Sequence, residues 1–195
     1  MALRNDILQV SKDLLLKEGF SKMSMRRIAK RANVTATSIY LHFENKDDLL
    51  LTLIEESIKQ LKQALHGAVN KEYALMDQLR ILAETYVNYA LDHPQEYEII
   101  FMVRPEEMPK YPRDKFRDVR SAYELIADII SESEHNEYIE VEDSLISAYT
   151  FWAQLHGIVS VILSKRLDTR IPQSKFIDQA IDHIINGFII QKTPA

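Results

Sequence analysis

Residues 21–46 crowd together the side chains best able to engage a charged partner. Lys22, Arg26, Arg27, Lys30, Arg31 and Lys46 are opposed by Glu44 alone, six cations against one anion for a net of +5. The chemistry open to such a set is noncovalent: charge pairing with a polyanion, supplemented by hydroxyl, amide and ring contacts. Within the stretch SMRRIAKRANVTATSIYLHFENK, two short helices are expected around a tight turn. The first runs from Met25 to Ala32 with Ser24 as its N-cap, and Ile28, Ala29 and Ala32 form its inner face. The second starts after the N-cap Thr35 and carries Ala36, Ile39, Tyr40 and Phe43 on one face. Thr37, Ser38, Leu41 and His42 then fall on the opposite face, free to meet a partner.

The turn between the helices needs a residue that accepts positive φ. Glycine is the usual choice, and Asn33 is the next most tolerant type. Val34 is expected to fill the space between the helices, and Ala29 is small where they come close. A plain helical hairpin is the bland reading of this segment. It would not need an exposed Thr37, Ser38 and His42 face beside a basic first helix.

Charge is distributed unevenly over the 195 residues. Residues 1–50 hold nine basic and six acidic side chains, +3, whereas the whole chain is −5, so residues 51–195 carry −8. An acidic protein with one basic end can hold a polyanion there without adhering to it everywhere.

The segment from about Ile7 to Leu50 resembles the N-terminal DNA-binding domain of the TetR/AcrR family of transcriptional regulators. Leu14, Leu15, Gly19, Phe20, Ser24, Ile28, Ala29 and Ala32 carry the first part of the match. Val34, Thr35, Ser38, Ile39, Tyr40, His42, Phe43, Lys46, Leu49 and Leu50 carry the rest, and IYLHFENKDDLL is the most diagnostic run. Asn33 departs from the family's glycine, and Ser11 from its alanine. The resemblance implies that Thr35, Tyr40, His42 and Lys46 mainly hold phosphates. Thr37, Ser38 and Leu41 are the candidates for base or methyl contact, with Ser24 and Ala36 at the two helix starts. Lys22, Arg26 and Arg27 would flank the groove.

Composition agrees with an all-α chain. Four glycines, six prolines and 46% apolar residues suit a packed helical core, and the absence of cysteine excludes disulfide and thiolate chemistry and fits a reducing cytosol. No uninterrupted apolar run approaches the roughly 18 residues of a membrane span. The charged, amphipathic N-terminus, MALRNDILQVSKD, lacks the apolar core of a signal peptide. The expectation is a cytoplasmic protein without membrane contact.

About nine helices are expected, in a three-helix domain over residues 1–46 and a helical effector-binding and dimerisation domain over 47–195. Helix 1 covers about Arg4 to Glu18 and stops at Gly19. Helix 4 runs from the N-cap Asn45 to about Ala68 and reaches from one domain into the other. Helix 5 spans Ala74–Asp92, and Pro94 opens a helix ending near Phe101. Residues 104–112 form a proline-rich loop. Helix 7 covers about Lys115–Glu134, helix 8 Val141–Arg166 and helix 9 Gln173–Gln191.

Helix 8 is apolar around most of its circumference, so it should be buried on nearly all sides. Its small residues Ala153, Gly157, Ser160 and Ser164 make a groove for another helix. Helix 9 adds Ile177, Ile181, Ile184 and Phe188 on a face wider than one core stripe. A homodimer through a four-helix bundle is the simplest way to bury both helices; the bland reading makes helix 8 the core helix of a monomer. FWAQLHG at 151–157 and DHPQEYEIIF from Asp92 resemble a TetR subgroup with a Trp-His-Gly motif. His156 is either a ligand contact or a buried, satisfied histidine. The candidate effector lining is Leu65, Leu82, Tyr86, Tyr89, Phe101, Met102, Tyr123, Ile126, Trp152 and His156, which suits an apolar or aromatic small molecule.

Enzymatic readings find little support. The six histidines, at 42, 66, 93, 135, 156 and 183, are scattered without metal-ligand spacing, and there is no phosphate-binding glycine loop. No metal and no cofactor are expected. The reading that remains is a homodimeric DNA-binding repressor released from a pseudo-palindromic operator by a small effector. A regulator switched by a docking protein partner stands beside it.

Overall fold

The computed structural model describes residues 2–101, 116–135 and 143–187. Its regular elements are α1 (Ala2–Glu18), a 3-10 turn (Phe20–Lys22), α2 (Met25–Arg31), α3 (Ala36–Tyr40), α4 (Lys46–Ala68), α5 (Leu75–Asp92), α6 (Pro94–Phe101), α7 (Phe116–His135), α8 (Ser144–Leu163) and α9 (Gln173–Asn186). The described residues contain no strand, and the all-α architecture read from the sequence holds. The 104–112 loop, the expected start of helix 8 at Val141 and the expected end of helix 9 at Gln191 lie outside the described residues. So do Met102 and Phe188.

The chain divides into two compact units, residues 1–60 with 93–116, and residues 61–92 with 117–195. Helix α4 contributes to both.

In the first unit, α1 packs against α2 and α6, and α2 against α3. Ile7, Leu8, Leu14 and Leu15 of α1 are buried, as are Ile28, Ile39, Phe43, Leu49 and Leu50. Each such side chain contributes roughly 1.5–3 kcal/mol by leaving water. Ser11 is fully buried among them, and its hydroxyl donates to the Ile7 carbonyl at 2.7 Å. That bond to the preceding turn lets a serine occupy an alanine site without an orphaned polar atom. Gly19, at φ 79°, ends α1 in a conformation that side chains disfavour. Lys12 of α1 pairs with Glu96 of α6, and Arg4 with Glu56 of α4.

In the second unit, α5 packs against α8 and α9, which also pack on each other. Leu79, Leu82, Ala83, Val87, Phe151, Leu155, Val159, Ile181 and Ile184 form its core. Arg80 of α5 and Asp182 of α9 close a 2.7 Å ion pair.

Helix α8 differs from expectation at its C-terminal end and around its circumference. It stops at Leu163, three residues before Arg166. Lys165 adopts φ 57°, and the Arg166 N–H donates to the Val161 carbonyl at 3.0 Å. This six-to-one closure terminates a helix without any glycine to announce it. Asp143 caps the other end, accepting from the N–H groups of Leu145 and Ile146. Nor is α8 buried on nearly all sides within one subunit. Leu145, Ile146 and Tyr149 are exposed, as are Ala153 and Gly157 of the small-residue row. Of the described helices, α8 alone is long and apolar enough to cross a membrane by length and composition, and its packing on α5 and α9 gives it a core role.

Candidate nucleic-acid interface

Two caps and one turn shape the interface. The Ser24 hydroxyl accepts from the Arg27 N–H at 3.3 Å and starts α2. Asn33 takes φ 55°, and the Val34 N–H reaches back to the Ala29 carbonyl at 3.0 Å. This closure ends α2 as the asparagine suggested; Val34 itself is half-buried rather than fully enclosed. The Thr35 hydroxyl accepts from the Ser38 N–H at 3.1 Å and lies 2.8 Å from the Ser38 hydroxyl, starting α3.

Helix α3 is only five residues long, shorter than a helix carrying Phe43 would be. Its chain continues in a turn, with the His42 and Phe43 N–H groups both donating to the Ile39 carbonyl. Ile39 is fully buried and Phe43 nearly so, but Tyr40 is 55% exposed. The expected inner face is therefore corrected: Tyr40 points to solvent. One turn of helix can hold only Ile39 against the core, because Tyr40 lies about 100° around the axis from it. Leu41 is 79% exposed, and Thr35, Thr37 and His42 are exposed with it, while Ala36 and Ser38 are half-buried. An exposed leucine and tyrosine beside exposed hydroxyls and an imidazole form a surface able to meet base edges, thymine methyl groups and phosphates.

The cations around α3 fall into two classes. Lys22, Arg26 and Lys30 are exposed, and no carboxylate lies within ion-pair distance of them among the described residues. Arg27 and Arg31 are exposed too, but both are engaged by Glu18 at the end of α1. Arg27 reaches one carboxylate oxygen at 2.6 Å and Arg31 the other at 3.3 Å, and Arg27 also donates to the Lys22 carbonyl at 2.8 Å. The Arg27 hydrogen bond, aided by the charges of Arg27, Arg31 and Lys22, holds the Glu18 carboxyl below its ordinary range. Charge counting by sequence window missed this pairing because Glu18 lies just outside residues 21–46. Lys46 is half-buried, with its ammonium donating to the Phe20 carbonyl. At the start of α4, the Asn45 side chain accepts from the Asp48 N–H at 2.9 Å, as its cap role required.

The candidate effector residues divide between the units. Leu65, Leu82, Tyr86, Tyr89, Tyr123, Ile126, Trp152 and His156 belong to the second; Phe101 belongs to the first, its ring 5.1 Å from that of Tyr97. In the second unit, Trp152 is the hub. Its indole N–H donates to the Tyr86 hydroxyl at 3.1 Å, and its ring lies 5.0 Å from both Tyr123 and His156. Burial lowers the His156 pKa from 6.5 and raises that of Tyr123. Both groups are therefore neutral hydrogen-bonding partners near pH 7.

The candidate interface residues also divide. Ala153, Gly157 and Ser164 are exposed in the single chain, and Ser160 and Ile177 are half-exposed. Ile181 and Ile184 are buried inside the subunit. In the single chain these two side chains contribute to the subunit's own core.

Known proteins match both parts of the chain. The family model for bacterial regulatory proteins of the tetR family matches residues 7–53, and the model for the tetracyclin repressor-like C-terminal domain matches residues 79–185. A Rhodococcus sp. RHA1 protein of unknown function has the same fold, with a TM-score of 0.80 at 25% identity over 96% of each chain. A TetR family transcription regulator from Marinobacter aquaeolei VT8 gives 0.79 at 17% identity, over 97% of this chain and 96% of its own. A fatty acid degradation regulator from Bacillus halodurans gives 0.73 at 19% identity, over 93% and 94%. The two matched segments together span most of this sequence, and the chain belongs to the tetR family of bacterial regulatory proteins.

Proposed function

We propose that this regulator is a homodimeric repressor that binds a pseudo-palindromic operator and is released by a small apolar or aromatic effector. The observation that carries the DNA half of the reading is the shape of α3. Ile39 anchors it, and the turn at Asn33 leaves Thr37, Tyr40, Leu41 and His42 outward. Thr37, Ser38 and Leu41 contact bases, with Ala36 at their approach. Ser24, Thr35, Tyr40, His42 and Lys46 hold phosphates, and Lys22 and Arg26 flank them. Arg27 reaches a phosphate only by giving up Glu18.

The dimer is supported by the exposed row Ala153 and Gly157 on α8 with Ser164 at its C-cap, and by the half-exposed Ile177 of α9. Two subunits present two copies of α3, which calls for half-sites about one DNA turn or more apart. The protein acts in the cytoplasm, where its DNA lies. Within the family, the C-terminal half goes with the Trp-His-Gly subgroup on Trp152, His156 and Gly157.

The effector is read by Tyr86, Tyr123, Trp152 and His156, beside Leu65, Leu82, Tyr89 and Ile126. Since α4 belongs to both units, a ligand that shifts residues 61–68 shifts the start of the same helix. A coupling of about 1–3 kcal/mol changes occupancy roughly 5- to 150-fold. A protein partner docking on the C-terminal unit is the second reading, favoured by the exposed Leu145, Ile146 and Tyr149. Selection of sites from random duplex DNA, repeated with the Thr37→Ala variant, tests the DNA half. A Thr37→Ala variant that selects the same sequence removes Thr37 from base recognition.

A further inference from the structure

We infer that Glu18 limits how many cations the DNA-binding head can offer to phosphates. The inference rests on the DNA-binding reading of α2 and α3. Arg26 and Lys30 stand one turn apart on α2, as do Arg27 and Arg31. The first row is unpaired among the described residues; the second converges on a single carboxylate, one arginine on each oxygen. Glu18 thus divides a continuous basic block into cations free for a polyanion and cations already neutralised. Lys22 and Arg26 remain available for positioning, while Arg27 is further tied to the Lys22 carbonyl.

Folding alone gives little reason for this arrangement. Exposed ion pairs contribute little to stability, and the Arg27 and Arg31 side chains are 45% and 48% exposed. In DNA binding the same arrangement has a direct consequence. Every cation that meets a phosphate releases counterions and strengthens binding to any sequence, whereas base contacts act only on the right one. A carboxylate that competes with phosphates for two arginines lowers sequence-independent binding and leaves α3 untouched. It lowers affinity for operator and random sequence alike, so that net binding rests more heavily on the base contacts of α3.

The substitution Glu18→Gln keeps the shape and one acceptor oxygen but replaces the other oxygen with an amide donor and removes the competing charge. On random-sequence duplex DNA, the slope of log K against log salt should steepen by about 0.9 per freed arginine, so by about 1–2 in all. Relative to 1 M salt, that is about eightfold tighter binding at 0.1 M for each arginine freed. Binding to a site selected by the wild-type protein should tighten by a similar factor, so the ratio between them stays the same. Arg31→Gln alone should leave the wild-type slope nearly unchanged, while Arg31→Gln in the Glu18→Gln background should recover about 0.9 of the steepening. A Glu18→Gln slope equal to wild type overturns the inference. So does an Arg31→Gln single variant that already loses a full contact, because Arg31 would then reach phosphate in the presence of Glu18; this variant decides the matter even if Glu18→Gln folds poorly. Wild-type protein that binds no duplex at low salt overturns the DNA-binding reading and this inference together. A binding wild type with an unmoved Glu18→Gln slope overturns this inference alone.

Discussion

The ammonium of Lys46 lies 3.7 Å from the centre of the Phe20 ring and donates to the Phe20 carbonyl at 3.2 Å. One residue at the start of α4 thus grips the 3-10 turn that leads into α2. The same ammonium has further N–H donors to offer a phosphate. Lys46→Gln should therefore have two effects at once. Loss of a partly desolvated cation–ring contact should cost about 1–2 kcal/mol of stability in urea unfolding. Binding to all DNA sequences should weaken, with a salt slope shallower by about 0.9. A variant that loses stability but keeps the wild-type slope would confine Lys46 to a structural role.

Asn33 provides a test of the turn. Asn33→Gly should keep or slightly raise stability, because glycine takes φ 55° without strain. Asn33→Val should lower it by about 1–2 kcal/mol, since a branched side chain clashes in the left-handed region. Equal unfolding midpoints for the two variants would mean the turn rearranges.

Tyr40 and Thr37 separate affinity from choice. Tyr40→Ala removes an exposed ring from the position proposed to hold a phosphate, so affinity should fall for every duplex by a similar factor. Thr37→Ala should instead alter which half-site is preferred, with each altered base pair worth about 1–3 kcal/mol. Gel-shift titrations on a panel of single-base variants measure both. A Tyr40→Ala effect confined to one base position would reverse its role.

Gly157 distinguishes a dimer surface from a tight spot within the subunit. A Cβ added there meets nothing within 4 Å in the single chain. Gly157→Gln should therefore leave the subunit folded, and the gain in helix propensity of up to about 1 kcal/mol favours α8. If a partner helix lies on this row, sedimentation should show the variant as a monomer and operator binding should fall sharply. A dimeric Gly157→Gln protein would move the interface elsewhere.

Burial lowers the pKa of His156, so the unfolded chain takes up this proton at higher pH than the folded one. Stability then rises with pH across the interval from the folded pKa up to 6.5, and it declines as pH is lowered through that interval. His156→Gln should flatten this part of the profile. An NMR titration placing the His156 pKa at or above 6.5 would remove the effect.

Sequence periodicity was most reliable where a cap or a long apolar stripe marked the chain. Asn45, Pro94 and Gly19 located helix boundaries because their backbone requirements are local. The turn at Asn33 was legible for the same reason. The Tyr40 orientation was not, because a helix of one turn is too short for a face to be assigned by spacing. Lys165 ended α8 early through a left-handed residue whose type gives no hint of it. Glu18 escaped notice because its partners lie nine and thirteen residues away, and only the turn at Gly19 brings them together. The burial of Ile181 and Ile184 within the subunit was not legible either, because a single sequence does not reveal which helix face the subunit's own core takes up.

Selection of binding sites from a random double-stranded DNA pool, using the purified full chain, tests the reading of α3 most directly. Enrichment of a two-fold symmetric motif, with half-sites about one helical turn or more apart, is the expected result. A chain stripped of any bound effector by unfolding and refolding that still enriches no sequence at low salt would refute it.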